Sequence, residues 1–397
     1  MTAVGQLEIL TQQQVLRFFQ DSLDYRYLGH WKDREGNSNI EEDLLRDWLT
    51  RRGYDERIIS KVLRDLDQAA ALSGSKTLYD ANRSIYEKLR YGAKIKPSVE
   101  EQTITVWLID WENPDKNDFA VAEEVTVTGI NTKRPDVMLY INCIAVGTLE
   151  RKRSTVSVTE GIRQNLDNQK HDFIQPFFAT VQLILAGNPT EGLRYGVIET
   201  PEKYWLEWKE PSDIDDPLQR GLEQICRKER ILEIIHDFMV FDAGIKKTCR
   251  HSQYFGVRAA QENVRRRQGG IIWHTQGSGK SLIMVWLAKW IREHVRDARV
   301  LIITDRSELD EQIEKVFNGV DEQIYRTRSG ADLINVLNDT EEWLICSLIH
   351  KFGASDETDM DAFLEEIRGS LPPNFRAKGQ IFVFVDECHR TQSGKLH

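Results

Sequence analysis

The sequence predicts a two-domain α/β protein: an α+β domain over residues 1–215, then a parallel α/β domain over residues 216–397. Three observations predict it. Gln276-Gly277-Ser278-Gly279-Lys280-Ser281 stands between the apolar run Ile271-Ile272-Trp273 and the apolar residues 282–287, which is the order strand, glycine turn, helix. Residues 380–385 read Gln-Ile-Phe-Val-Phe-Val, a buried parallel strand running straight into Asp386-Glu387. Ahead of residue 211, helical patterns mix with short strands that turns can join into hairpins, an α+β arrangement.

Residues 8–70 read as helical. Residues 13–19 are amphipathic, and Asn39 is placed to cap a helix over 41–51 with Leu44, Leu45, Trp48 and Leu49 on its apolar side. Residues 103–109 alternate as a strand, and 124–130 read as another. Pro135-Asp136 opens a strand over 137–141, Asn142-Cys143 can turn it, and 144–152 returns. A helix over 159–169, a buried strand over 179–186 and short strands at 195–199 and 204–208 complete the first domain. Pro211-Ser212-Asp213-Ile214-Asp215-Asp216-Pro217 is polar and bracketed by prolines, which places a linker there. Beyond it helices alternate with apolar strands at 271–273, 300–304, 343–347 and 381–385, the pattern of a parallel sheet.

The hairpin carries one candidate chemistry. Side chains alternate along a strand, so Glu150 and Lys152 share a face while Leu149 and Arg151 take the other. The turn brings Asp136 near the end of the return strand. Two carboxylates and an ammonium then meet at a sheet edge, where hard oxygen ligands suit Mg²⁺ and Lys152 can stabilise developing charge. Ion pairing on the surface is the plain alternative.

The glycine turn carries the other. Such a turn aims backbone N–H groups at a phosphate from the positive end of a helix dipole. Lys280 would reach the β- and γ-phosphates of a nucleotide and the Ser281 hydroxyl would ligate Mg²⁺, although His274 stands where the strict pattern has glycine. Asp386, at the carboxyl end of its strand, would hold Mg²⁺, and Glu387 would orient or deprotonate an attacking water.

Composition excludes several classes. With 40% apolar and 29% charged residues, the chain reads as ordinary soluble globular protein. No run approaches 18 apolar residues, and Met1-Thr2-Ala3-Val4-Gly5-Gln6 carries no signal sequence. The five cysteines are scattered, which argues for reduced thiols in a cytoplasmic setting and against zinc. A net charge of −10 does not favour nucleic acid, though binding depends on local patches. The basic clusters Lys246-Lys247 with Arg250, and Arg265-Arg266-Arg267, are either such patches or solvated helix faces.

Pro135-Asp136 with Glu150-Arg151-Lys152 resembles the PD-(D/E)xK nuclease motif. The resemblance implies that Asp136 and Glu150 are metal ligands and that Lys152 is catalytic. A further ligand often comes from an upstream acidic helix, which offers Glu41 or Glu42; Leu45 and Leu49, three and seven residues on from Glu42, favour Glu42. The phosphate loop followed by Asp386-Glu387-Cys388-His389 resembles the first RecA-like P-loop domain of a superfamily 2 helicase motor with a DECH box. Such motors use two lobes. A chain ending eight residues after His389 is expected to be a fragment holding one lobe, able to bind adenine nucleotide weakly and to turn it over hardly at all.

Together the two resemble the restriction (R, motor) subunit of a type I restriction–modification enzyme, and further stretches agree. Leu108-Ile109-Asp110 with Asn113-Pro114 and Asn117-Asp118-Phe119 is similar to the family's LIDxxNPxxNxF, and Arg134-Pro135-Asp136 to its RPD. Arg250 to Arg258 resembles RYxQYxAV, His274 to Ser281 resembles HTQGSGKS, and Thr304 to Asp310 resembles TDRxxLDxQ. The resemblance implies ATP and Mg²⁺ as cofactors, with Gln253 on the adenine edge and Thr275, Gly277, Ser278, Gly279, Lys280, Ser281 and Asp386 around the nucleotide. It implies that Thr304, Asp305 and Arg306 lie along DNA, although helix capping is an equal role for Asp305. Of the family's QxxxY, Gln164 is present and Asn168 stands for tyrosine. The implied activity is ATP-driven translocation of double-stranded DNA and cleavage remote from a recognition site, beside separate methylation and specificity subunits. The alternatives are a stand-alone helicase–nuclease of repair, a type III restriction subunit, or an ATP-dependent remodeller whose first domain only docks partners.

Overall fold

A computed structural model describes residues 13–275, 277–304, 307–339, 341–348, 371 and 375–386. The chain is mixed α/β and divides into two compact units, Met1–His251 and Ser252–His397. None of the described helices is long and apolar enough to cross a membrane.

In the first unit a helical segment at 13–22, ending in a π-helical turn, leads into strand β1 (Arg26–His30). Helices α1 (Glu42–Arg51), α2 (Glu56–Ala70) and α3 (Leu78–Tyr91) follow; Asp55 caps α2, and Thr77 with Asp80 closes a capping box on α3. The short strands β2 (Ala93–Ile95) and β3 (Ile104–Val106) pair with each other. Then come β4 (Phe119–Glu123), β5 (Val137–Ile141), β6 (Ile144–Arg151), helix α4 (Val158–Asn168), β7 (Leu183–Asn188) and β8 (Gly192–Gly196). One six-stranded sheet has the order β1-β4-β5-β6-β7-β8. Its β1–β4 and β6–β7 pairs are parallel and the rest antiparallel. β5 and β6 are buried along their whole length, which explains their continuous apolar runs. Trp31, Tyr140, Ile162, Phe178 and Ile184 belong to the core beside them.

The β5–β6 hairpin forms as the sequence leads one to expect. Asn142 and Cys143 both have positive φ, 49° and 68°, as a two-residue turn of matching twist demands. The Asn142 side chain, fully buried, anchors the turn: Nδ2 donates to Leu108 O and Asn117 Oδ1, each at 2.8 Å, and Oδ1 accepts from Asp118 N at 2.7 Å.

Other expectations are corrected. Residues 26–30 form a strand inside the span read as helical. Residues 124–130 do not form one, because Glu124 takes φ 49° and ends β4, leaving only an isolated bridge between Val127 and Lys133. Asn39 does not cap α1; its Nδ2 donates to Pro176 O and Phe177 O, and Glu41 is the capping residue by position. At 204–208 only the bridge Tyr195–Leu206 forms. The polar stretch 211–217 is no boundary. Asp216 accepts from Leu218 N and Gln219 N and so caps α5 (Pro217–Cys226), which buries Leu218 and Leu222 and packs on β8 and β7. Helix α6 (Lys228–Asp237) and the hairpin β9 (Met239–Asp242) and β10 (Ile245–Thr248) also belong to the first unit. Lys246, taken as part of a basic cluster, is buried there: Nζ donates to Asn82 Oδ1 at 2.7 Å and to Gln182 Oε1 at 2.6 Å. Burial pushes its ammonium well below the ordinary lysine range.

The second unit begins within α7 (His251–Arg265). Helix α8 (Lys280–His294) precedes β11 (Ala298–Thr304), followed by α9 (Ser307–Gly319), β12 (Tyr325–Arg326), α10 (Gly330–Asn338), β13 (Leu344–Leu348) and β14 (Gln380–Val385). The four strands are parallel in the order β12-β13-β11-β14. The expected strand at 271–273 is absent from the ladders of the described residues, and Trp273 is 85% exposed. Three apolar residues after Gly269-Gly270 are too short a run to specify a strand by pattern. Arg265 and Arg266 pair with Glu262 on their own helix, as a solvated face does.

Asn142→Ala removes three hydrogen bonds, two of them buried, and places alanine in left-handed backbone that asparagine tolerates better. It is expected to destabilise the first unit by about 3 kcal/mol, read as a lower urea midpoint with unchanged slope.

Candidate functional site

The hairpin register sets the first site. Val137 pairs with Leu149, so Asp136 and Glu150 come opposite each other where β5 begins and β6 ends. Asp136 Oδ2 accepts from the Arg151 backbone N–H at 2.7 Å, which fixes that carboxylate against the strand. Glu150 has no exposed surface. Its Oε1 accepts from Asn168 Nδ2 at 3.2 Å, and its Oε2 has no hydrogen-bond partner among the described residues. Lys152 Nζ stands 4.0 Å from that Oε2 and donates to Gln164 Oε1 at 2.5 Å. Helix α4 therefore supplies one side chain for each of the two groups.

Electrostatics follow from burial. Desolvation, then the Asp136 charge, pushes the Glu150 carboxyl well above the usual carboxylate range. Desolvation also raises Asp136, against the opposing pull of Lys152. Glu124 raises both. This third carboxylate was not anticipated; its backbone N–H donates to Asp136 O at 2.9 Å and its Oε2 lies 2.5 Å from Arg134 Nε. A Glu-Glu pair closing an apolar strand beside the Arg134-Pro135-Asp136 turn was the signal available for it.

An orphaned, fully buried carboxylate oxygen beside a second carboxylate, with negative potential from a third, is a donor set that fits a hard divalent cation. Asp136 and Glu150 would hold it.

The acidic helix does not join them. Glu42 is exposed. Glu41 is buried, but its carboxylate accepts from Arg34 Nη2 at 2.5 Å, Arg34 Nη1 at 3.0 Å and Ser38 N at 3.1 Å. Its backbone N–H donates to Cys143 O, at the turn end of the hairpin. From Ile144 to Glu150 the strand climbs about 20 Å. The principal charges acting on Asp136 and Glu150 come from Lys152, Arg151, Glu124, Lys133 and each other. The phase argument failed because Leu45, Trp48 and Leu49 stand four, seven and eight residues from Glu41, the residue that shares their face.

In the second unit the glycine turn takes the expected form where it is described. Gly277 and Gly279 have φ 75° and 83°, left-handed values that side chains resist, and Gly279 precedes the first turn of α8, where Lys280 and Ser281 sit half-buried. Thr275 and Gly277 are exposed. Gln253 Nε2 donates to Ser278 O at 2.9 Å and to Gly279 O at 3.2 Å. A Cβ at Gly279 would lie 2.6 Å from that nitrogen. The amide nitrogen of Gln253, the residue expected on an adenine edge, thus braces the glycine turn. The buried Ser278 Oγ has no hydrogen-bond partner among the described residues. Burial, then Lys280, lowers the His274 pKa. Asp386 follows β14 and its N–H donates to Ile303 O at 2.9 Å, so it stands at the carboxyl end of the sheet. A loop of N–H groups at a helix start fits the phosphates of a nucleotide. Glu387, Asp305, Arg306 and Cys388 lie outside the described residues.

Residues 5–203 match the family described as type I restriction enzyme R protein N terminus, and residues 252–397 match the SWI2/SNF2 ATPase family. Among curated relatives, the type I restriction enzyme SauCOLORF180P endonuclease subunit of Staphylococcus aureus is 25% identical over 344 residues, covering 84% of this chain and 35% of its own. The HindI endonuclease subunit of Haemophilus influenzae is 25% identical over 352 residues, covering 80% and 32%. The SsaAORF53P endonuclease subunit of Staphylococcus saprophyticus is 26% identical over 326 residues, covering 79% and 34%. The chain spans about a third of the length of these relatives.

Above 4.5, the ordinary value for a glutamate, the unfolded chain releases the Glu150 proton while the folded chain retains it. Stability contributed by the protonated group is thus lost as pH rises towards the raised folded pKa. Glu150→Gln is expected to abolish this decline and to stabilise the metal-free chain at pH 8 by on the order of 1–3 kcal/mol, measured by urea unfolding with EDTA across pH.

Proposed function

The chain belongs to the family of type I restriction enzyme R protein N termini, and from that premise we propose that it is the nuclease and ATPase portion of a type I restriction endonuclease motor subunit. The observation that carries the nuclease assignment is the fully buried Glu150 with the half-buried Asp136 opposite it and Lys152 beside it at the end of the hairpin. The mixed sheet with this pair at a strand end supports a PD-(D/E)xK fold for the first unit. The parallel sheet, phosphate loop and strand-end Asp386 support a first RecA-like domain of a superfamily 2 motor for the second.

The substrate is double-stranded DNA. Asp136 and Glu150 would hold Mg²⁺, which when bound polarises the scissile phosphate and the attacking water. Asp136 is oriented for this by the Arg151 N–H, and Glu150 by Asn168. Lys152, tethered to Gln164, supplies positive charge where the phosphorane forms and the leaving oxygen departs. In the second unit the loop N–H groups and Lys280 hold the phosphates of ATP. Ser281 and Asp386 would hold its Mg²⁺, and Glu387 orients the water that attacks the γ-phosphate. Hydrolysis drives translocation, and cleavage follows at a distance from the site that separate methylation and specificity subunits recognise.

The placement of the two motif sets in separate compact units predicts separable losses. In the full-length subunit assembled with its partners, Asp136→Ala and Lys152→Ala are expected to abolish cleavage and leave DNA-stimulated ATPase intact. Lys280→Ala is expected to abolish ATPase and, with it, cleavage. Loss of ATPase in a folded Asp136→Ala enzyme would sink the separation. ATP-dependent cutting by Lys280→Ala would sink the loop assignment. Intact cutting by Asp136→Ala would favour a remodeller whose first domain only docks partners.

A further inference from the structure

Asn168 stands where the resemblance expects tyrosine, and its contacts give it a task of its own. It is 1% exposed, and its Nδ2 donates to Glu150 Oε1 over 3.2 Å. One turn earlier Gln164 accepts from Lys152 Nζ, and Asn165 Nδ2 donates to Leu185 O at 2.9 Å, fastening the helix to β7. Gly161 lets that helix come close: a Cβ there would lie 3.2 Å from Glu150 O and 3.3 Å from Ala186 Cβ. Positions 161, 164, 165 and 168 fall on one helical stripe. The stripe is laid over the end of β6, where Glu150 and Lys152 emerge.

The bond to Glu150 is selective in two ways. It engages Oε1 and leaves Oε2 without a hydrogen-bond partner among the described residues. Its donor is also neutral. A cationic donor would form an ion pair and compete with a metal ion, whereas an amide fixes the carboxylate's rotation and leaves its charge available. We infer that Asn168 is a positioning residue, holding Glu150 by Oε1 so that Oε2 faces the place of a divalent cation. This inference rests on the reading of Asp136 and Glu150 as cation ligands.

The test is direct Mn²⁺ binding to the 397-residue chain without nucleotide, by titration calorimetry, for wild type, Glu150→Gln, Asn168→Ala and Asn168→Leu. Leucine fills the volume of the amide, so a folding defect from a cavity in the alanine variant is separated from loss of the donor. Both Asn168 variants are expected to weaken Mn²⁺ binding about 10–100-fold, the usual effect of losing a group that orients a ligand. In the assembled full-length enzyme they are expected to raise the Mg²⁺ concentration needed for cleavage in proportion, with ATPase unchanged. Near-wild-type Mn²⁺ binding by folded Asn168→Leu, where Glu150→Gln binds weakly or not at all, overturns the positioning role alone. Unchanged binding by Glu150→Gln overturns the cation site itself, and the inference with it.

Discussion

The first site depends on one costly arrangement: a glutamate buried at the end of an interior strand, its carboxylate held among the described residues by a single neutral hydrogen bond. Water would solvate an ionised carboxylate far better than this interior does. Lys152, at 4.0 Å, is too far to hydrogen-bond, and the nearest donor is a neutral amide. The rest of the sheet must offset that cost. β5 and β6 contribute Val137, Met138, Leu139, Tyr140, Ile141, Ile144, Val146 and Leu149 to the interior. Each large apolar side chain among them is worth about 1.5–3 kcal/mol when fully buried. A strand pair this apolar can carry one misfit carboxylate and still fold.

Much of this was legible. Asn142-Cys143 between two apolar runs could turn the chain, and strand alternation then put Glu150 and Lys152 on one face with Asp136 near the end of the return strand. The glycine turn ahead of a helix was read from Gly277 and Gly279, and in the structure both take left-handed backbone before α8. These features are local: each is specified by residues within a turn or a strand of one another.

What the sequence concealed depends on contacts between distant segments. Residues 26–30 become a strand by pairing in parallel with β4, about ninety residues on, and a propensity reading of a helix-rich stretch does not contain that partner. Glu124 joins the carboxylates where its backbone turns left-handed, a turn that the Glu-Glu pair at the strand end signals in position but not in conformation. The choice between Glu41 and Glu42 turned on a single step of helical phase. The helix start proved to pack at the far end of the hairpin, so the choice did not bear on Asp136 and Glu150. The proline-bracketed stretch looked like a linker in composition, yet Asp216 and Pro217 are also what a helix start requires.

Lys246 carries a consequence for how the end of the first unit assembles. Its amine gives two hydrogen bonds to Asn82 and Gln182 in a place that disfavours the ammonium form. When β10 is undocked, that amine is an ordinary lysine and carries a proton up to about pH 10.5. Docking the β9–β10 hairpin is therefore a proton-releasing step at any pH between the depressed value and 10.5. The last strands before His251 are thus favoured to dock by alkalinity and to loosen with acid.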